Sequence, residues 1–138
     1  MVKIEAGYSL SEHVEGASRH LDAAARLLDL GQEGAALAQD KAPREPHHSA
    51  KTLVKHPTLT VVLMSFQAGA RLGEHRAAGP ITLQTLTGAV QVWVANESIE
   101  LPAGSLLTLE RSIPHDVEAR VDSTLLLTLG GSEFTDRG

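Results

Sequence analysis

The chain has 138 residues, of which 42% are hydrophobic and 21% are charged, and this composition predicts one soluble domain with a modest core. A net charge of −5, from 12 basic and 17 acidic residues, argues against nucleic acid or an anionic membrane as a partner. The lack of cysteine excludes disulfides, thiolate metal sites and cysteine nucleophiles. Without a long apolar run or the apolar middle of a secretion signal at residues 1–10, we expect a cytoplasmic protein.

The first part of the chain has a helical pattern. Apolar residues recur every three or four positions, which predicts an amphipathic helix over residues 10–30. This stripe consists of Leu10, Val14, Ala17, Leu21, Ala24 and Leu28. Ser9 and Glu12 have the spacing of a capping box, and Gly31 stands where a helix commonly ends. The pattern also allows a short helical stretch over residues 33–39. Pro43 and Pro46 then mark a polar connector, so residues 1–48 are predicted as a helical extension and connector.

From residue 49 to residue 138 the pattern changes to short strands. Five segments are rich in β-branched residues or leucine and are separated by turn residues: 58–66, 89–94, 98–101, 106–109 and 124–129. Val90, Val92 and Val94 alternate with other residues, and Asn96-Glu97 supplies a turn, which predicts a hairpin. Many short strands with frequent turns predict an antiparallel sandwich or barrel, because closure hides the sheet edges.

Glycines and histidines within this β-rich region have a recognisable spacing. Gly69 precedes His75 by six positions, Gly88 follows it by thirteen, and Gly104 precedes His115 by eleven. In this order and spacing the region resembles the cupin superfamily over residues 49–130. The resemblance implies a jelly-roll β-barrel, with an N-terminal helical extension in this chain, that encloses a cavity and commonly forms a homodimer.

The sequence departs from the cupin motifs at several positions. Ala77 stands where the first motif has its second histidine, and Ile81 stands where it has glutamate. The second motif has Glu110, Ser112 and Ala119 in place of its proline, glycine and asparagine. Two of the four usual metal ligands are therefore absent, and His75 and His115 are the two that remain.

Strand alternation predicts where these imidazoles point. His115 shares a face with Val117 and Ala119, whereas the intervening residues are polar. The same alternation groups His75 with Ala77, Ile81, Leu83 and Thr85. We therefore expect both imidazoles to face one mostly apolar pocket, lined by Ala77, Ile81, Leu83 and Val117.

Two interpretations of this pair follow. In the first, His75 and His115 bind a divalent zinc, iron, manganese or nickel ion, completed by water and one further donor. Glu74, Gln84 and Glu110 are the nearest candidate donors, although alternation directs them to the other face unless a bulge intervenes. In the second, the histidines hydrogen-bond to the backbone beside a cavity that has lost its metal.

The other conspicuous side chains have simpler interpretations. Four histidines are expected on the surface: His13, His20, His47 and His48. His56 precedes Pro57, and we expect it to lie away from the barrel mouth. The large ring of Trp93 is expected to fill the core or a dimer contact.

Three functions from different classes remain open. The first is a protein that binds a small molecule, with or without a divalent metal ion, in the barrel cavity. The second is a metal-dependent enzyme of the oxygenase or isomerase type, as the resemblance implies for members with a metal site. The third is a regulatory or interaction protein that docks a partner through its N-terminal helix.

Overall fold

The N-terminal part of the molecule is a small hairpin followed by one helix. The computed structural model describes residues 18–22, 25–39 and 48–131. Strands β1 (Ser18–Asp22) and β2 (Ala25–Leu28) pair in antiparallel fashion, and helix α1 covers Leu30–Ala38. The helix predicted over residues 10–30 is therefore wrong for residues 18–22 and 25–28, whereas residues 10–17 lie outside the described part. The short helical stretch expected near residues 33–39 is confirmed, and Gly31, the expected helix end, is instead near its start.

Tertiary contacts explain this difference. Leu28 packs against a cluster formed by Leu37, Leu53 and Leu63, and the Arg26 side chain donates a hydrogen bond to the Leu53 carbonyl at 2.9 Å. An extended β2 places these groups against the neighbouring sheet, and such contacts override local helical periodicity. Residues 18–22 and 25–28 therefore do not form the long helix that was expected to dock a partner. Helix α1 instead packs on the chain's own sheet.

Eight further strands form two sheets. The strands are β3 (His48–His56), β4 (Leu59–Phe66), β5 (Ile81–Thr87), β6 (Ala89–Val94), β7 (Glu97–Pro102), β8 (Leu106–Leu109), β9 (His115–Ala119) and β10 (Ser123–Gly130). One sheet has the order β3-β4-β10-β5-β8 and the other has the order β7-β6-β9. All pairings between these strands are antiparallel, as predicted, and β6 with β7 forms the predicted hairpin.

The main core lies between the two sheets. Its buried side chains come from Ala70, in the segment between β4 and β5, and from inward-facing positions of the strands: Met64, Phe66, Ile81, Leu83, Val90, Val92, Leu101, Val117, Ala119 and Leu125. The Thr85 hydroxyl is also buried there and is satisfied because it donates to the Leu101 carbonyl at 2.9 Å. The mainly β, cupin-like architecture predicted from the sequence is confirmed.

Helix α1 covers the outer face of the five-stranded sheet. Asp29 caps it by accepting a hydrogen bond from the Gln32 amide at 3.0 Å. Glu33, in the first turn of the helix, is buried and forms an ion pair with Lys51 of β3 at 2.6 Å. Among the described residues, no helix combines the length and apolar character that crossing a membrane requires.

Candidate functional site

The structure brings His75 and His115 together. The segment that contains His75 runs beside β9 and pairs with it at two isolated bridges, Arg71 with Glu118 and His75 with His115. Each histidine amide donates to the other's carbonyl at 2.9 Å. A residue pair that exchanges both backbone hydrogen bonds has its side chains on the same face of the sheet.

Asp116 fixes the segment that carries His75. One carboxylate oxygen accepts from Arg71 Nε at 2.8 Å, and the other accepts from the Gly73 amide at 2.9 Å. Gly73 has a φ of +89°, a left-handed conformation that glycine adopts without steric cost. The carboxylate and the glycine bend together set the approach of this segment to β9.

The two rings meet edge to face. Their centroids are 4.3 Å apart and their planes are inclined by 62°. His75 Nδ1 lies 2.9 Å from the Gly73 carbonyl oxygen, and His115 Nδ1 lies 3.0 Å from that of Ile113. Because a carbonyl oxygen only accepts, each Nδ1 carries the proton, which leaves both Nε2 lone pairs free to accept a proton or bind a metal ion.

The two histidines differ in their exposure. His115 is only 3% exposed and faces the interior as predicted, whereas His75, expected to face the same interior, is exposed. The segment of His75 contacts β9 through the two bridges and further backbone hydrogen bonds, such as that from the Leu72 amide to the Val117 carbonyl, without forming a regular strand. Burial lowers the pKa of His115 below its ordinary value, and the neighbouring His75 lowers it further, against the opposing effects of the Ile113 carbonyl and Asp116.

The pair supplies two of the donors that a metal site needs. With metal–nitrogen bonds of about 2.0 to 2.1 Å, two imidazoles whose centres are this close are able to share one ion. In the described ranges, however, no third His, Asp or Glu joins them in a potential metal-binding group. Glu74 and Glu110 are exposed, and Gln84 is a cross-strand partner of Leu106 and Leu126. The residues therefore fit a metal in part, and the metal role of the pair stays a prediction.

A cavity of about 560 Å³ lies at the turn between β3 and β4, and we call it the hairpin cavity. It is lined by Lys55, His56, Pro57, Thr60, Ala77, Ala78, Gly79, Leu129, Gly130 and Gly131. Lys55, Thr60 and Leu129 are successive cross-strand partners on β3, β4 and β10, so their side chains share one face of the sheet. Leu129 also packs against the core between the sheets, which identifies that face as the inner one.

The opposite wall of the hairpin cavity is the segment that follows His75. A Cβ on Gly79 would lie 2.7 Å from the Gly130 carbonyl oxygen, so only glycine permits this close approach to the end of β10. Ala77, two positions after His75, contributes its methyl group to the wall, and its carbonyl accepts from the Ser112 amide at 2.8 Å. The cavity is thus adjacent to the histidine pair along the chain, although neither imidazole lines it.

A second cavity of about 370 Å³ contains His115 and Trp93. The Arg71 guanidinium lies 4.6 Å from the centre of the Trp93 ring, and it also binds Asp116, the cross-strand partner of Trp93. Trp93 therefore lies outside the core, because it alternates with the inward-facing Val92 and Val94. Trp93 does not fill the core, and the alternative expectation, a dimer contact, stays a prediction.

The structure places the predicted pocket residues at different depths. Ala77 lines the hairpin cavity, whereas Ile81, Leu83 and Val117 are buried in the core and line neither cavity. A pocket-lining role for those three residues stays a prediction.

Sequence reasoning missed Lys55 and Thr60 and misplaced two histidines. His56, expected away from the barrel mouth, lines the hairpin cavity, and His48, expected on the surface, stacks on Phe66 with centroids 5.6 Å apart. The sequence feature that could have indicated this site is the polar pair Lys55-His56, which directly precedes Pro57 between two strands. His13 and His47 lie outside the described residues.

Comparison with solved structures identifies the fold. A cupin-superfamily protein from Desulfitobacterium hafniense matches with a TM-score of 0.61 and 18% identity, over 65% of this chain and 83% of that one. A cupin 2 conserved barrel domain protein from Leptotrichia buccalis matches with a TM-score of 0.59 and 30% identity, over 64% of this chain and 43% of that one. Salicylate 1,2-dioxygenase from Pseudoaminobacter salicylatoxidans, in its adduct with gentisate, matches with a TM-score of 0.61 and 20% identity, over 76% of this chain and 31% of that one.

No protein-family model matches the chain, and no curated protein matches it either. These likenesses show that the chain has the cupin fold, which confirms the fold implied by the resemblance in the sequence. One fold serves many unrelated functions, so the activity has to be argued from the site.

Proposed function

We propose that the protein binds a small organic molecule in the hairpin cavity. The observation that carries this proposal is the combination of an apolar wall with a few polar groups in one concave site. Pro57, Ala77 and Leu129 offer apolar surface, and Lys55 and Thr60 offer polar groups from the inner face of the sheet. A volume of about 560 Å³ lies within the range of about 300 to 1,000 Å³ that is typical of small-molecule sites.

The alanine at position 77 supports a ligand site that contains no metal ion at this wall of the hairpin cavity. The cupin resemblance implies a metal-ligating histidine there, and this chain has an alanine whose methyl group lines the cavity. A small apolar side chain at this position leaves room for a ligand and adds apolar contact to it. The proposal therefore needs no metal ion in the cavity.

The test is a fragment screen by saturation-transfer NMR on three proteins. We expect small ring-containing fragments to bind the wild type and to lose binding in Ala77→Leu, which fills the cavity. Ala103→Leu is the matched control, because Ala103 is exposed in the turn between β7 and β8 and does not line the cavity. The proposal is overturned if no fragment binds, or if the fragments that bind are insensitive to Ala77→Leu.

A second candidate function is that of a metal-dependent enzyme. The specific observation in its favour is the histidine pair, whose Nε2 atoms are both free because each Nδ1 is engaged with a backbone carbonyl. A dioxygenase is also among the structural neighbours. A metal ion held by His75 and His115 would supply Lewis-acid or redox chemistry. The residues themselves would hold and orient that ion, with His115 providing the buried donor.

A further inference from the structure

We propose that the ligand of the hairpin cavity is a small organic anion, with a carboxylate or similar group near Lys55 and a compact apolar body. This inference rests on the proposed function and specifies the ligand class of the same cavity. It follows from three features of the lining: its charge, its hydrogen-bond donors and its apolar wall.

The charge of the lining is unusual for this chain. Among the described residues that line the cavity, Lys55 carries a formal charge at pH 7 and none has a carboxylate, although the chain as a whole has a net charge of −5. Among the described residues, ion pairs engage Lys51, Arg71 and Arg120 but not Lys55. Within the described part of the chain the Lys55 ammonium thus has no carboxylate partner, and the local charge favours an anion.

The polar groups of the lining are mainly donors. Thr60, the cross-strand partner of Lys55, has a hydroxyl that is able to donate. His56 Nδ1 accepts from the Thr58 amide at 3.4 Å, and because an amide nitrogen only donates, the neutral ring carries its proton on Nε2. His56 is therefore also a donor on the side that faces away from Thr58. Ammonium, hydroxyl and imidazole N–H groups together suit an acceptor such as carboxylate.

The remaining lining limits the size and polarity of the ligand. Pro57, Ala77, Ala78 and Leu129 contribute apolar surface, and the glycines at positions 79, 130 and 131 contribute backbone. A ligand that satisfies both parts of the cavity has one anionic end and one apolar end. An uncharged molecule of the same shape would gain the apolar contact and hydrogen bonds between neutral groups, but no ion pair with Lys55.

The experiment compares benzoate with benzamide, which has the same shape without the charge. NMR titration of the full chain is expected to give benzoate an affinity about two- to fivefold higher than that of benzamide, the gain that one solvent-exposed ion pair supplies. Lys55→Gln should remove this preference by weakening benzoate and leaving benzamide unchanged. Arg111→Gln, which removes the same charge at an exposed position outside the cavity, should leave the preference intact.

The outcomes separate this inference from the proposed function. If benzamide binds as tightly as benzoate, or if Lys55→Gln leaves the preference unchanged, the ligand class is wrong while the cavity remains a binding site. If Arg111→Gln removes the preference as fully as Lys55→Gln, the net charge of the chain explains it and the inference is overturned. Binding of neither probe contradicts both the inference and the proposed function.

Discussion

His75 and His115 exchange both backbone hydrogen bonds across an isolated bridge, and their rings touch at a centroid distance of 4.3 Å. One ring is buried and the other is exposed, and each is oriented by the carbonyl two residues before it. The segment that contains His75 continues through Ala77 into the wall of the hairpin cavity. The pair and the cavity are therefore parts of one structural unit, and the predictions below test each part.

The histidine pair should bind a divalent transition-metal ion weakly. Titration of untagged protein with Ni²⁺, followed by calorimetry, is expected to show one weak site, because two imidazoles are fewer donors than a stable site uses. Replacing either partner by alanine, in His75→Ala or His115→Ala, should weaken this binding by about tenfold or more. His56→Ala is the control and should bind as the wild type does. Nickel binding that survives both substitutions would exclude the pair as the site.

Stability should fall on the acid side of neutrality because of His115. Its pKa lies below the ordinary value of 6.5 in the folded state, mainly through burial, so the unfolded chain binds the proton more readily. The stabilising contribution is complete above pH 6.5 and is lost as the pH falls from there through the lowered pKa.

Urea unfolding at several values between about pH 7.5 and about pH 5.5 measures this effect. The free energy of unfolding should decrease less over that interval in His115→Gln than in the wild type. His56→Gln, at an exposed position, is the control and should follow the wild type. An identical pH dependence in all three proteins would mean that the buried imidazole does not contribute.

Gly88 and Gly104 should differ in their tolerance of alanine, although both have a positive φ, +82° and +91°. A Cβ on Gly104 meets nothing within 4 Å, so Gly104→Ala should cost only the backbone strain, about 1 to 2 kcal/mol. A Cβ on Gly88 would lie 2.4 Å from the Asp122 carbonyl oxygen, so Gly88→Ala should cost about 2 to 5 kcal/mol. Equal losses in denaturant unfolding would show that the contact at Gly88 relaxes freely.

Leu63 and Leu106 provide a matched test of the packing of α1. Leu63 is fully buried beneath the helix, and Leu63→Ala should destabilise the protein by about 2 to 5 kcal/mol. Leu106 on the edge strand β8 is 57% exposed, and Leu106→Ala should change stability by less than about 0.5 kcal/mol. Thermal or urea unfolding distinguishes the two. A small effect of Leu63→Ala would indicate that α1 does not cover this face in solution.

Much of the β-rich half could be predicted from the sequence because its signals are local. The alternation of Val90, Val92 and Val94 and the turn at Asn96 identify the hairpin of β6 and β7, and the spacing of the glycines and histidines indicates the cupin fold. His115 could be placed on the inner face because a regular strand fixes the side of every second residue.

The parts that could not be predicted depend on contacts between distant segments. The helical stripe at Leu28 does not reveal that this residue packs against Leu53 and Leu63, which favours an extended strand. His75 is exposed on a segment that forms no regular strand, so alternation does not fix the side to which its imidazole points. Lys55, Thr60 and Leu129 form one row only after three strands have paired in register, so no local motif indicates the cavity.

NMR titration of uniformly ¹⁵N-labelled protein with benzoate locates binding in the hairpin cavity residue by residue. We expect chemical-shift changes that centre on the amides of Lys55, Thr60, Ala77 and Gly79, with no comparable change at Trp93 or Asp116 of the second cavity. Shift changes that centre on Trp93 and Asp116, or no change at saturating benzoate, would contradict binding in the hairpin cavity.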